Sequence, residues 1–241
     1  MKGSLVRVAI DQSYGHWNAP VDPDTNEFVY VPIPEARPQS IELETTYQSH
    51  IPSLKRFCNA RNLDLDRDLK FPKSLHTLAT HLDPDFQNLT YGDVGDKRGS
   101  QIVTMGNGDI VAFYAGLKPI KPCQHKLLYA IIGLYVIDEV VMAGSVVKER
   151  WRENAHTRRQ DISARDVIIR AMPGLSGLLE RCVVIGEYRD KAYRVTKDIL
   201  KAWGGLSVTD GYIQRSAVPP MFLDAAKFLR WYKNICGQQP T

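Results

Sequence analysis

Residues 101–115, QIVTMGNGDIVAFYA, and 127–141, LLYAIIGLYVIDEVV, decide how the chain reads. Both are rich in β-branched and aromatic residues, which suit a pleated, half-buried surface better than a helix. Gly106-Asn107-Gly108 divides the first stretch into two apolar runs, Gln101–Met105 and Asp109–Ala115. Asn-Gly supplies the positive-φ residues of a tight turn, so a β-hairpin is expected there. A Lys- and Pro-containing loop over 118–126 then leads into a long strand over 127–141, in which Gly133 and Asp138-Glu139 mark a bulge or turn.

Outward from this centre the signals are shorter. Leu5–Ile10 reads as a first strand, and Phe28–Pro34 as extended chain because Pro32 and Pro34 forbid a central helix. Helical character is expected over Leu43–Asn62, Phe71–Leu82 and Ser145–Ala155, with a turn-rich loop over Asp83–Gly99. Asp166–Ala171 and Glu180–Gly186 read as strands. Thr196-Lys197-Asp198 opens a helix that Gly204-Gly205 closes, and Pro219-Pro220 precedes a last helix over about 223–235. The expectation is a single α+β domain spanning 1–241, strand-rich over about 101–190 and helical over about 196–236.

With 241 residues, 44% hydrophobic and 24% charged, the composition excludes collagen-like, mucin-like and disordered classes. No apolar run reaches the roughly 18 residues of a membrane span, and the N-terminal apolar run is too short for a signal peptide, so a cytoplasmic protein is expected. The net charge of +4 is compatible with a polyanionic partner. Cys58, Cys123, Cys182 and Cys236 form no C-x-x-C, which predicts buried free thiols and no zinc ribbon.

Phosphate-cradling, dinucleotide-binding, nucleophile-elbow and H-E-x-x-H motifs are missing. Asp64-Leu65-Asp66-Arg67-Asp68 imitates the start of a calcium loop but has Leu69 where Gly is needed and Leu75 where Glu is needed. His76 and His81 would sit about 140° apart on a helix and could not share an ion. No metal site is expected, and no cofactor is indicated.

Four polar clusters carry the candidate chemistry. Asp11, Ser13, His16 and Asn18 gather beside Trp17 after the first strand, where side chains become exposed; Asp11 and Ser13 could equally form a backbone-bonded turn. Tyr91 and Asp93 lie in a Gly-rich stretch with Asp96, Lys97 and Arg98, suited to a phosphate or a base. On the central strand Phe113 and Tyr114 face opposite ways, so one is core and the other can stack on a base. Lys148–Arg159 holds Trp151, Asn154, His156, Arg158 and Arg159; seven basic and four acidic residues fall between 145 and 170. There the Arg forks could take phosphate, Trp151 could stack, and His156 could act as acid or base, unless the cations simply pair with nearby carboxylates.

Asp109–Tyr114 followed by Ile131–Val136 resembles the core hairpins of the PUA-like superfamily, which includes EVE and ASCH domains. That likeness implies a mixed β-barrel or strongly bent sheet with peripheral helices, and recognition of nucleic acids or modified bases. The strings IDQSYGHWNAP (10–20), LTYGDVGDKRGSQI (89–102), GDIVAFYAGLKP (108–119), ENAHTRR (153–159), WGGL (203–206) and IQRSAVPP (213–220) together resemble the third branch of the nucleotide modification associated domain family. The resemblance implies a role around modified nucleotides and points to Asp11, Tyr91, Asp93, His156, Arg158 and Arg215, with Ser216 beside the last.

Three functions are weighed. The first is a reader that holds a nucleotide or modified base of DNA, or of RNA, in a basic, aromatic-lined pocket, with Trp17, Tyr114 or Trp151 stacking, Arg158 and Arg159 on phosphate, and Asn18, Tyr91, Asn154, Arg215 and Ser216 as further contacts. The second is an enzyme acting on a nucleotide or a DNA base through Asp11, Asp93 and His156. The third is a protein–protein adaptor, which would need a large exposed apolar patch.

Overall fold

A computed structural model describes residues 1–96, 98–215 and 218–236. Along these residues the strands are β1 (Gly3–Arg7), β2 (Pro20–Val21), β3 (Ile33–Pro34), β4 (Thr80–His81), β5 (Thr90–Val94), β6 (Ile110–Pro119), β7 (Leu128–Met142), β8 (Asp166–Ala171), β9 (Gly177–Val184), β10 (Gly186–Arg189) and β11 (Ala192–Val195). The helices are α1 (Ile51–Asn59), α2 (Lys197–Trp203) and α3 (Ala225–Cys236). None of the described helices is long and apolar enough to cross a membrane.

β6 organises the molecule. Residues 110–117 are buried without interruption, so this strand is covered on both faces. Val111, Phe113, Ala115 and Leu117 enter one core with Tyr47, Leu54, Tyr91 and Tyr135; Ile110, Ala112 and Tyr114 enter a second with Trp203, Phe222 and Phe228. Period-two alternation delivers successive side chains to two hydrophobic masses. The chain is thus α+β, with its apolar weight on either side of a seven-stranded sheet of order β1-β6-β7-β8-β5, to which β2 and β9 add at β6 and β7. β1 and β2 run parallel to β6, and the remaining pairs of that sheet are antiparallel.

β7 changes partners along its length. Residues 128–136 pair with β6, and Ile137–Met142 pair with β8 after a register shift at Ile137/Glu139, close to the bulge expected from Asp138-Glu139. The sheet turns there, yet among the described residues no pairing joins β1 to β5, so closure into a barrel is not seen.

Four sequence expectations need correction, the first being the loop over Asp83–Gly99, within which Thr90–Val94 is strand β5 paired with β8. Gln101–Met105 is not a strand: Ile102–Thr104 is a 3-10 turn in which Ile102 and Met105 are buried and Val103 is half exposed. That burial has a period of three, which one 3-10 turn supplies, so the partner of β6 in the hairpin is β7, across residues 120–127. Phe71–Leu82 is not a helix either. Only Lys73–Leu75 makes a 3-10 turn, and Thr80 and His81 then pair with Pro34 and Ile33. Lys148–Glu153 is 3-10 rather than α-helix, and the described part of the chain before Lys197 contains α1 as its α-helix. By contrast α2 runs from the Thr196 cap to Gly204, whose φ of +80° suits glycine. Of the four free cysteines, Cys58 and Cys182 are buried but Cys123 is exposed.

Candidate functional site

A cavity of about 540 Å³ opens between the end of β1, β5 and the loops before and after them. Asp11, Tyr91, Asp93, Tyr114, His156, Arg159 and Arg215 all line it, so stretches far apart in sequence meet there. Ser216 lies outside the described residues. Trp17, Asn18, Trp151, Asn154 and Arg158 are not among the lining residues.

The wall from β1 is a turn. Asp11 accepts hydrogen bonds from the Ser13 and Tyr14 amides at 2.6 and 2.9 Å, and its other oxygen pairs with Arg7 at 2.8 Å. This is the backbone-bonded turn that the residue types allow, and it leaves Asp11 with both oxygens engaged. The turn projects Tyr14, which is 56% exposed, at the cavity. Arg215 donates to Ser13 Oγ at 3.2 Å, and Arg215 and Arg37 are the exposed guanidinium groups of the lining. Tyr91 donates to Asp93 Oδ2 at 3.0 Å, and Asp93 Oδ1 accepts from Val94 N at 2.8 Å. Tyr114 is 1% exposed and donates to the Ile213 carbonyl at 2.6 Å, so its ring is part of the second core.

The floor is built by β4, β5 and the turn at 154–159. His81, at the end of β4, and Asp83 flank a tight three-residue turn in which the Asp83 amide donates to the His81 carbonyl at 2.8 Å. Asp83 Oδ1 accepts from the Gly92 amide at 2.9 Å and from Asn154 Nδ2 at 3.0 Å. Its Oδ2 lies 3.7 Å from His81 Nε2 and 3.8 Å from His156 Nε2. On the far side of each ring stands a carboxylate: Glu35 meets His81 Nδ1 at 2.7 Å and Asp166 meets His156 Nδ1 at 2.5 Å. Arg159 bridges those two carboxylates, at 3.2 Å to Glu35 and 3.1 Å to Asp166.

Gly92 permits this packing, since a Cβ there would come within 2.7 Å of the His156 ring and 2.8 Å of Asn154 Oδ1. Asn154 also accepts from the His156 amide at 2.9 Å, so it shapes the turn and is fully buried rather than available to a base. Burial pushes Asp83 up to about 6 against the opposing pull of His81, His156 and its two donors. Burial would raise Glu35 too, but its bond to His81 and the His81 and Arg159 charges outweigh it and hold the carboxyl at about 2. Asp166 is likewise lowered against burial by His156 and Arg159.

Several expected ligand contacts are instead structural. Trp17 donates to the Leu69 carbonyl at 2.9 Å and packs edge-on to Phe71. Asn18 donates to the Gly116 carbonyl at 2.7 Å. Trp151 donates to the Val146 carbonyl at 3.0 Å beside a small cluster of Ala143, Val146 and Ile168. Arg158 is buried on Asp85, at 2.5 Å, and on the Arg152 carbonyl. None of these four offers a face or a charge to the cavity.

His81, Asp83, Glu35 and Asp166 carry no local signal of this floor, because contacts between chain segments far apart in sequence assemble it. Ligand atoms of His81, Asp83 and His156 all lie within 4.8 Å of one another, a grouping that no spacing in the sequence singles out.

The family profile described as nucleotide modification associated domain 3 matches residues 2–212. The chain belongs to this family. No curated protein and no solved structure matches it. Most of the cavity falls inside the matched stretch; Arg215, Pro219 and Pro220 complete the wall from beyond it.

Proposed function

We propose that this member of the nucleotide modification associated family holds a nucleotide, or a base of DNA or RNA, in the cavity, as part of nucleotide modification. The observation that carries the reading is the two-zone lining of one cavity: exposed Arg37, Arg215 and Tyr14 at its mouth, and hydrogen-bonding Asp93, Asp83 and His156 within. Guanidinium groups suit phosphate and an exposed ring suits stacking, while the inner groups suit a heterocycle's polar edge. The volume is in the range of small-ligand sites, roughly 300–1,000 Å³. Family membership supports the link to nucleotides. The strand pair β6–β7, which resembles the PUA-like superfamily, backs the cavity through Tyr114.

The catalytic form of this reading is favoured by one detail. His156 lines the cavity and has its Nδ1 fixed by Asp166, the arrangement by which a third group orients an acid–base imidazole. Asp93, on β5, lines the same cavity with both oxygens engaged by Tyr91 and Val94, as those of Asp11 are by Ser13, Tyr14 and Arg7.

Calorimetric titration with nucleoside monophosphates and with single-stranded DNA and RNA carrying plain or modified bases tests the proposal, at two salt concentrations. Binding that weakens with salt is expected. If none of these ligands binds, or binding ignores salt, the proposal fails.

A further inference from the structure

We infer that His81, Asp83 and His156 form a site for one divalent transition-metal ion whose remaining coordination positions open to the cavity. The inference rests on four features of the floor and does not need the nucleotide reading.

The first is spacing. Asp83 Oδ2 stands 3.7 and 3.8 Å from the two Nε2 atoms, beyond a hydrogen bond. Two ligands each about 2.0–2.2 Å from a shared ion can stand at most about 4.4 Å apart. These two distances fit an ion shared by Asp83 with either imidazole and no direct bond to it, and the ligand atoms of all three groups stand within 4.8 Å of one another.

The second is proton placement. Each Nδ1 stands closest to a carboxylate, Glu35 at 2.7 Å and Asp166 at 2.5 Å, with Arg159 farther off at 3.5 and 3.2 Å, and a carboxylate only accepts. The neutral ring therefore carries its proton on Nδ1 and turns the Nε2 lone pair toward Asp83. A carboxylate behind a histidine in this way orients the ring and raises its basicity as a ligand.

The third is the division of labour on Asp83. Its Oδ1 is held by the Gly92 amide and Asn154, which fixes the carboxylate plane and aims Oδ2 between the imidazoles.

The fourth is charge. Glu35, Asp83 and Asp166 bring three negative charges, with side chains 1, 3 and 1% exposed, and Arg159 returns one positive charge. Metal ligation requires neutral imidazoles, and in that state the group carries a net charge of −2; two imidazolium rings would cancel it in the metal-free protein. The neighbouring Arg158 is matched by Asp85, and Arg37, which also acts on Asp166, stands in solvent. Buried charge without compensation is costly, and one divalent cation can take the place of the two imidazolium protons without changing the net charge of the floor.

Two imidazoles and one carboxylate suit zinc or ferrous iron better than magnesium or calcium, which prefer all-oxygen sets. Three protein ligands rather than four mark a site that keeps room for a water or a substrate atom.

The full chain, stripped with a chelator and checked for folding by circular dichroism, is titrated with Zn²⁺ and Co²⁺ by calorimetry and visible absorption. One equivalent is expected, with ligand-field bands for Co²⁺, and neither Mg²⁺ nor Ca²⁺ should compete. Asp83→Asn and His81→Asn should lose stoichiometric uptake, and Glu35→Gln should weaken it by roughly 10–100-fold. Should those variants not fold, X-ray absorption of the zinc-loaded wild type counts the imidazoles instead: two support the site, fewer overturn it. Folded wild type that takes up no ion, or takes Mg²⁺ as readily as Zn²⁺, overturns the inference. Metal uptake without nucleotide binding would retain this site and remove the proposed function, and the reverse result would do the opposite.

Discussion

Two sets of arginines invite comparison. Arg158 and Arg159 sit in the most cationic stretch of the sequence, whereas Arg37 and Arg215 stand alone in theirs. The fold reverses what that pattern suggests. Arg158 and Arg159 are buried and committed to Asp85, Glu35 and Asp166, while Arg37 and Arg215 are exposed at the cavity mouth. Local charge density in a sequence therefore reports neither field nor availability. What decides is whether a carboxylate from elsewhere in the chain comes within reach as the guanidinium loses water.

The comparison can be broken most sharply at Arg158. Removing it leaves Asp85 buried without its partner and releases the Arg152 carbonyl, so Arg158→Ala should cost about 3–5 kcal/mol in urea unfolding. A loss below about 1 kcal/mol would mean the pair is a solvated surface contact after all.

A half-buried basic group lacking such a partner should behave oppositely, and His50 is that case. Its Nε2 has no hydrogen-bond partner among the described residues, and burial lowers its pKa from 6.5 to about 4. The folded state thus binds fewer protons than the unfolded state between those values. Stability contributed by the neutral ring is whole above pH 6.5 and is lost as pH falls toward about 4, a loss of roughly 3 kcal/mol at most. His50→Gln should flatten that part of the stability–pH curve relative to wild type; an unchanged slope would show that His50 is accessible to water.

At the mouth the effects should appear in binding and leave folding alone. Tyr14→Ala should weaken a bound base by roughly 1–3 kcal/mol, the range of one base–aromatic stack, with the unfolding midpoint held. Arg215→Ala should shift stability by less than about 0.5 kcal/mol yet lower the salt slope of nucleic-acid binding by about 1. If Arg215→Ala destabilises as Arg158→Ala does, the two sets are not different in kind.

The same contrast explains what could be read from the residues. β7, β8 and α2 are legible because apolar runs rich in β-branched residues and a Thr…Gly cap pair are local signals. The run 101–105 misled because five apolar-rich residues fit a strand or a 3-10 turn, and only the burial of Ile102 and Met105 separates the two. The polar stretches at 11, 91–93, 156–159 and 215 announced themselves by composition, and they do line one cavity. Their roles did not, because Asn154 and Arg158 are assigned by Asp83 and Asp85, about seventy positions away. His81 was hidden for a related reason: its direction follows from pairing with Ile33, a contact that no local pattern encodes.

The segment that brings Arg215, Pro219 and Pro220 to the cavity is laced to β1: Leu5 bonds the Pro220 carbonyl, Ser4 bridges to Met221, and Arg7 reaches the Gln214 carbonyl. A recombinant fragment trimmed to residue 212 would keep the histidines at the bottom yet stand open along one flank, with the partners of Trp203 and Tyr114 stripped away. Ligand screens run on such a fragment would sample a half-built vessel, and their negatives would say nothing of the intact one.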